Sequence, residues 1–414
     1  MRALIARAST LLSIVALLSC GGDKDATTAP GGSTDTAPCV VGSLRGALQM
    51  LGCGLDTTRY TAEIAVRGNT AYTTTWGNRR ASGNKINIWD VTQNSPVLVD
   101  SVIVTSATTL GDIQISDDGK LLVVATEFSP GSMVVFDLTD PRKPQQIARF
   151  SNDQTAPGVH TAKLGRVNGK LYAFLSVDPT NDTFKAREVI VDLSAPSAPV
   201  QASVSVAGLP YVHDTYLRDG LLFVALWNDG MQIWDLGGGG MGGTPESPVV
   251  MGTVQTVNGN VHNIWWYHDA SGGKKFAFVG EEGSGVVGST SRGDIHIVDV
   301  SDLMHPKEVA FYSVPTAGTH NFSVDEKNGV LYAAYYNGGV RAIDVRGDLG
   351  TCAVNQQIVT QGLSRCALHL MGRELAVGLL DQPRTVYVWG VQYTGSALFA
   401  SDMLNGIWRL QPAK

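Results

Sequence analysis

The sequence predicts an all-β chain folded as a seven-bladed β-propeller, with four-stranded antiparallel blades closed by an N-terminal strand. Three observations carry that prediction. First, an apolar strand ending in Asp and then Val or Leu recurs six times: INIWDV (86–91), MVVFDL (133–138), EVIVDL (188–193), MQIWDL (231–236), IHIVDV (295–300) and VRAIDV (340–345). The aspartates, Asp90, Asp137, Asp192, Asp235, Asp299 and Asp344, are 47, 55, 43, 64 and 45 residues apart, a spacing that marks one repeated unit with loop insertions. Second, the alternation has period 2, which excludes helical repeats. Third, the 414 residues include 47 glycines and only 16% charged residues, as many tight turns and strands buried between neighbours require.

Within each unit the order of elements is legible. A β-rich run such as TAYTTTW, LLVVAT or LLFVALW precedes each copy, a polar turn such as DDGK or VNGK precedes that run, and another alternating strand precedes the turn. After the Asp, a stretch such as TDPRKP or SAPSAP leads to a fourth strand, where Pro is tolerated at an outer edge. The six aspartates have a structural role, accepting backbone amides of the turn that follows. A seventh copy, NGIWRL (405–410), has Arg409 in place of Asp, as an atypical terminal unit can. That unit has about three strands, so a strand from residues 40–55 is expected to complete it and protect the sheet edges.

Ahead of the repeats lies an export segment. Residues 1–19 place Arg2 and Arg7 before an apolar run too short to span a bilayer, and the ending Leu17-Leu18-Ser19-Cys20 resembles the bacterial lipoprotein box. On this reading Cys20 is lipidated, Gly21 after it resembles the outer-membrane class, and the chain is exported and anchored in the bacterial outer membrane. Residues 20–38 form a flexible tether and residues 39–414 a single, monomeric propeller domain. Without residues 1–19 the body holds 29 basic and 37 acidic residues, a formal charge of −8. That acidity, with no basic run, excludes a nucleic-acid partner. Cys39, Cys53, Cys352 and Cys366 are expected to form two disulfides in an oxidising compartment. Three pairings are open; the local ones, Cys39 with Cys53 and Cys352 with Cys366, close short loops that lack strong strand patterns.

The segments NDGMQIWDL, NGGVRAIDV and MVVFDLTDPRKP, each after a strand like FVAL or YAAY, resemble the LVIVD-repeat β-propeller proteins, a family common among exported bacterial proteins. The likeness covers residues 60–410. It implies the architecture and carries no catalytic residue across.

If strands run a to d outward from the axis, the start of strand a and the b-to-c loops share one face, and the terminal aspartates lie on the other. On the first face four successive blades begin strand a with a histidine: His160, His213, His262 and His320, half of the eight in the protein. Blade 2 has Asp112 near that position, blade 1 Ala62 or Glu63, and blade 7 Trp389. Two readings follow. In one, each imidazole packs at a blade junction and bonds the neighbouring loop, and the face is a binding or scaffolding surface for an envelope protein, peptide or glycan. In the other, imidazoles converge on a transition metal, with Asp112, Asp178, Glu281 or Glu282 as oxygen donors or hydrogen-bond partners, and the protein is a metal-dependent envelope enzyme. Trp76, Trp227 and Tyr336 form an aromatic rim or pack in the core. Gly283 to Gly288 matches G-x-G-x-x-G but lies between two strands, which excludes a dinucleotide role. The run Gly237 to Gly243 reads as a flexible c-to-d loop.

Overall fold

The computed structural model describes residues 44–45, 48–77, 81–179, 184–208, 211–380 and 385–413; the expected signal, Cys20, the tether and Cys39 lie outside them. Seven antiparallel sheets follow one another in sequence order. Strands a to d are Tyr60–Arg67, Thr70–Trp76, Lys85–Asp90 and Val97–Ile103 in blade 1, and Leu110–Ile115, Leu121–Thr126, Ser132–Asp137 and Gln145–Phe150 in blade 2. Blade 3 has Val159–Val167, Lys170–Val177, Arg187–Asp192 and Val200–Val206; blade 4 has Asp214–Arg218, Leu221–Ala225, Met231–Asp235 and Val249–Val254. Blade 5 has Val261–Trp266, Phe276–Glu281, Ile295–Asp299 and Lys307–Tyr312, and blade 6 has Phe322–Asp325, Val330–Ala334, Val340–Asp344 and Glu374–Leu380. In blade 7, Val388–Tyr393, Leu398–Asp402 and Gly406–Leu410 form strands a to c, and Met50–Gly54 supplies strand d, pairing Met50 with Leu410 and Cys53 with Trp408.

Strand a of each blade touches strand a of the next, from blade 1 through blade 7 and back to blade 1, so the ring is closed. The apolar cores lie between blades. Ile88, Leu122 and Phe136 fill the gap between blades 1 and 2, and Leu121, Ala173 and Leu175 that between blades 2 and 3. Trp89, Phe399 and Ile407 join blade 7 to blade 1. Each leucine, isoleucine or phenylalanine among them contributes roughly 1.5–3 kcal/mol by leaving water, and only a neighbouring blade can cover it, which makes the ring cooperative.

All six repeat aspartates end a strand c, and each Oδ1 accepts the backbone N–H two residues on, at 2.6–3.0 Å. Asp235 takes more. Its carboxylate also accepts the N–H groups of Gly239, Met241 and Gly243, and despite some desolvation these four bonds hold it down at about 2. The glycine run is therefore wrapped around an anion rather than free. Arg409, where the seventh Asp would stand, donates to the carbonyls of Val91 (2.8 Å) and Gln93 (2.7 Å), tying blade 7 to the turn after Asp90 of blade 1.

One insertion departs from the simple repeat. Residues 345–373, between strands c and d of blade 6, carry a hairpin, Gln357–Thr360 with Leu363–Ala367, whose inner strand pairs in parallel with strand d of blade 5. The Cys352–Cys366 disulfide staples it, and Cys53 is disulfide-bonded as well. The segment read as lacking strand pattern is thus an added edge hairpin, held by its neighbour and its disulfide rather than by its own alternation.

Candidate functional site

Strand a of five blades carries a β-bulge near its start, at Thr61/Ile64, Leu110/Ile113, Val159/Thr161, Val261/Asn263 and Val388/Gly390. A bulge re-aims side chains and breaks the period of 2. Two residues in a row can therefore serve the axis, and two polar layers result.

The upper layer is an aromatic ring. His160, His213, His262 and His320 lie edge by edge, with successive ring centroids 4.2, 4.1 and 4.2 Å apart, and Trp389 continues the series 4.1 Å from His320. Trp76 follows, 5.2 Å from Trp389. Blade 2 contributes Gly111, whose missing side chain leaves room for the His160 carbonyl; a Cβ there would sit 2.2 Å from that oxygen. The ring encloses a cavity of about 30 Å³. Trp227 stacks on His213 at 5.2 Å and 17°, and Tyr336 meets His320 edge-on at 5.2 Å. Both have positive φ, +54° and +39°. Both sit in tight b-to-c turns and bond the next blade: the Trp227 carbonyl accepts the Val261 N–H at 3.0 Å, and Tyr336 exchanges two bonds with Val388 at 3.1 and 2.9 Å. Trp76, Trp227 and Tyr336 thus pack against the ring rather than lining an open rim.

Carboxylates from the ends of strands b meet this layer in two groups. Glu282 is fully buried, and its Oε2 lies 3.7 Å from His213 Nε2 and 3.8 Å from His262 Nε2. The Tyr336 hydroxyl donates to the other oxygen, Oε1. The main chain of Glu282 is fixed on both sides by Asn260, which accepts its N–H at 2.9 Å and donates to its carbonyl at 3.0 Å. The second group is tighter: His160 Nδ1 is 3.2 Å from Glu127 and 3.5 Å from Asp178. Burial opposes charge on His160, but those two carboxylates raise it well above its ordinary range. Burial first, then the neighbouring imidazoles and Lys163, push His213, His262 and His320 well below theirs. His320 Nδ1 lies 2.7 Å from the Trp389 carbonyl.

Two of the expected oxygen donors are elsewhere. Asp112 belongs to the lower layer, where its Oδ2 is 3.0 Å from Lys163 Nζ, with Asp214 on the same ammonium at 3.4 Å. The bulge puts Asp112 in register with Glu63, Asp214, Asn263 and Asn321, below the imidazoles. Glu281 faces the opposite side of its strand from Glu282 and lies 3.4 Å from His296 Nε2. There His296 Nδ1 also meets Glu308 at 2.7 Å, and Arg365 from the added hairpin closes on the same carboxylate. Glu127 was not anticipated from the sequence; it falls one residue past strand b of blade 2, the position Asp178 takes in blade 3 and Glu282 in blade 5, and aligning those ends would have found it.

In the lower layer, Asn321 donates to Glu63 at 2.6 Å. Burial, then repulsion from Asp112, raises Glu63 to about 8, and burial raises Asp214 to about 6 against the pull of Lys163. Below this layer the axis opens into a cavity of about 420 Å³ that runs along the strands a to Arg67, Asp117 and Tyr393.

The family signature of the LVIVD repeat matches residues 185–204 and 290–314. Those segments are strands c and d of blades 3 and 5, including the terminal Asp192 and Asp299. The chain folds as a seven-bladed β-propeller and carries LVIVD repeats. Among curated proteins, none matches it. In this LVIVD-repeat propeller the matched segments lie outward of the axis, so the repeat builds the blades while the bulged strands a and the ends of strands b build the site. A fold of this kind hosts many activities, and the chemistry must be argued from the residues at the mouth.

Proposed function

We propose that the protein is an exported, lipid-anchored binding module of the bacterial outer membrane that engages its ligand or partner through the face bearing the strand-a histidines. One observation carries the choice of face: the ends of strands b, from which the long b-to-c loops of blades 1, 3 and 5 leave, adjoin a mouth whose imidazoles and indoles are held by bonds between blades. Long loops on a rigid scaffold are the usual home of recognition. The lipid anchor rests on the Leu-Leu-Ser-Cys pattern ending at Cys20.

A second reading, a metal-dependent envelope enzyme, uses the same face. A cavity of about 30 Å³ holds a water or an ion and no organic substrate, so turnover there requires the ring to open. Binding is the simpler use of a closed ring.

The test compares exposed lysines on opposite faces. Lys185 lies in a b-to-c loop and Lys143 in a c-to-d loop. In capture from envelope extract, a partner retained by the wild type and by Lys143→Glu but lost with Lys185→Glu supports the reading. Equal capture by all three, or loss only with Lys143→Glu, contradicts it. Radiolabelled palmitate incorporation that disappears in Cys20→Ala tests the anchor.

A further inference from the structure

We propose that the mouth of the propeller holds one divalent transition-metal ion on His213 Nε2, His262 Nε2 and Glu282 Oε2. The inference deepens the reading of the His-bearing face as a binding face by naming a ligand for its centre. Metal uptake is measured on purified protein without an envelope partner, so the two readings can fail separately.

The geometry separates this trio from its neighbour. One donor atom from each of the three residues lies within 4.8 Å of the others. The two nitrogens stand 3.7 and 3.8 Å from the carboxylate oxygen, longer than a hydrogen bond. An ion about 2.0–2.1 Å from each donor at tetrahedral angles sets donors about 3.4 Å apart, so each nitrogen-to-carboxylate distance is within a few tenths of an ångström of that value, and the two nitrogens lie within 4.8 Å of each other. The Glu127–His160–Asp178 group also falls within 4.8 Å, but its contacts of 3.2 and 3.5 Å already form a direct ion pair.

Neighbouring residues hold two of the three donors, Glu282 and His213, in place. Tyr336 engages Oε1 of Glu282 and leaves Oε2 toward the imidazoles. Trp227 fixes the ring plane of His213, and the His213 N–H is held by Ala225 O at 2.9 Å. Such outer partners orient ligands and sustain affinity. A cavity of about 30 Å³, enough for a water, adjoins His213 and His262 on the side of Lys163 and Asp214. Two imidazoles and one carboxylate suit zinc, iron, copper or nickel, and are a poor match for calcium or magnesium, which take oxygen ligands.

The experiment uses the full chain, purified without a polyhistidine tag and stripped with chelator. It is titrated with Co²⁺, followed by visible d–d absorption, and Zn²⁺ competition is then measured. One equivalent of Co²⁺ displaced by Zn²⁺ is expected, with affinity at least ~100-fold lower in His262→Gln and in Glu282→Gln. Near-UV circular dichroism reports folding, and the near-isosteric Glu282→Gln decides if His262→Gln fails to fold. No Co²⁺ uptake by folded wild type, or unchanged uptake by a folded variant, overturns the proposal.

Discussion

Glu282 Oε2 stands 3.7 Å from His213 Nε2, while the same carboxylate receives the Tyr336 hydroxyl on its other oxygen. Three blades thus meet at one buried acid: blade 4 through His213, blade 5 through Glu282, and blade 6 through Tyr336. The arrangement exists because strand b of blade 5 ends on the same face on which strands a begin.

The tyrosine is the easiest part to remove. Tyr336→Phe keeps the ring and the bonds to Val388 but deletes the hydroxyl that holds Glu282. Cobalt affinity is expected to fall about 10–100-fold with little change in thermal stability. Unchanged affinity would show that the hydroxyl does not position the carboxylate.

Arg365 ties the added hairpin to blade 5 through Glu308, and both side chains are almost wholly buried. Removing the guanidinium leaves the buried Glu308 carboxylate with His296 alone as a charged partner among the described residues, so Arg365→Met is expected to cost about 3 kcal/mol in urea unfolding. Adding Glu308→Gln should recover part of that loss, since coupled residues are not additive. Strict additivity would place the two residues in separate networks.

The same network predicts a dependence on pH. Burial opposes protonation of His296, but Glu281 and Glu308 raise it to about 9. Asp294 and Arg365 also face this cluster. A histidine whose folded value exceeds its unfolded one stabilises fully below about 6.5, and that stabilisation is lost as pH rises through the folded value. The stability advantage of wild type over His296→Gln should therefore be greatest below pH 6.5 and shrink toward pH 9. An advantage that grows with pH would reverse the assignment.

The Cys352–Cys366 disulfide closes a loop with a sequence separation of 14. Loops of this length are worth about 3 kcal/mol by chain entropy. In the double Cys→Ser variant the hairpin should loosen, and limited proteolysis should cut between residues 345 and 373. Blades 5 and 6 each keep four strands of their own, so the far-ultraviolet circular dichroism of the folded variant should be nearly unchanged. Protease resistance equal to that of the wild type would mean that the pairing with strand d of blade 5 suffices.

Blade number, strand order and the aspartate turns were legible because each is local: alternation, a tight turn and an Asp two residues before the amide it receives. The closing strand was legible by counting, since the last unit lacked one. The site was legible only in part. Recurrence placed four histidines at one repeat position, but period-2 reasoning could not see the bulges that lower Asp112 toward Lys163. Alternation did contain the answer for Glu281 and Glu282, whose adjacent positions send one to His296 and the other to the mouth. The added hairpin was not legible, because a partner blade and a disulfide stabilise it more than its own sequence does.

Anomalous X-ray diffraction from crystals of zinc-loaded protein, recorded on both sides of the zinc edge, tests the central claim most directly. The account predicts one strong peak at the mouth, about 2.0–2.1 Å from His213 Nε2, His262 Nε2 and a Glu282 oxygen. A mouth without such a peak, or zinc bound instead at Glu127, His160 and Asp178, would contradict it.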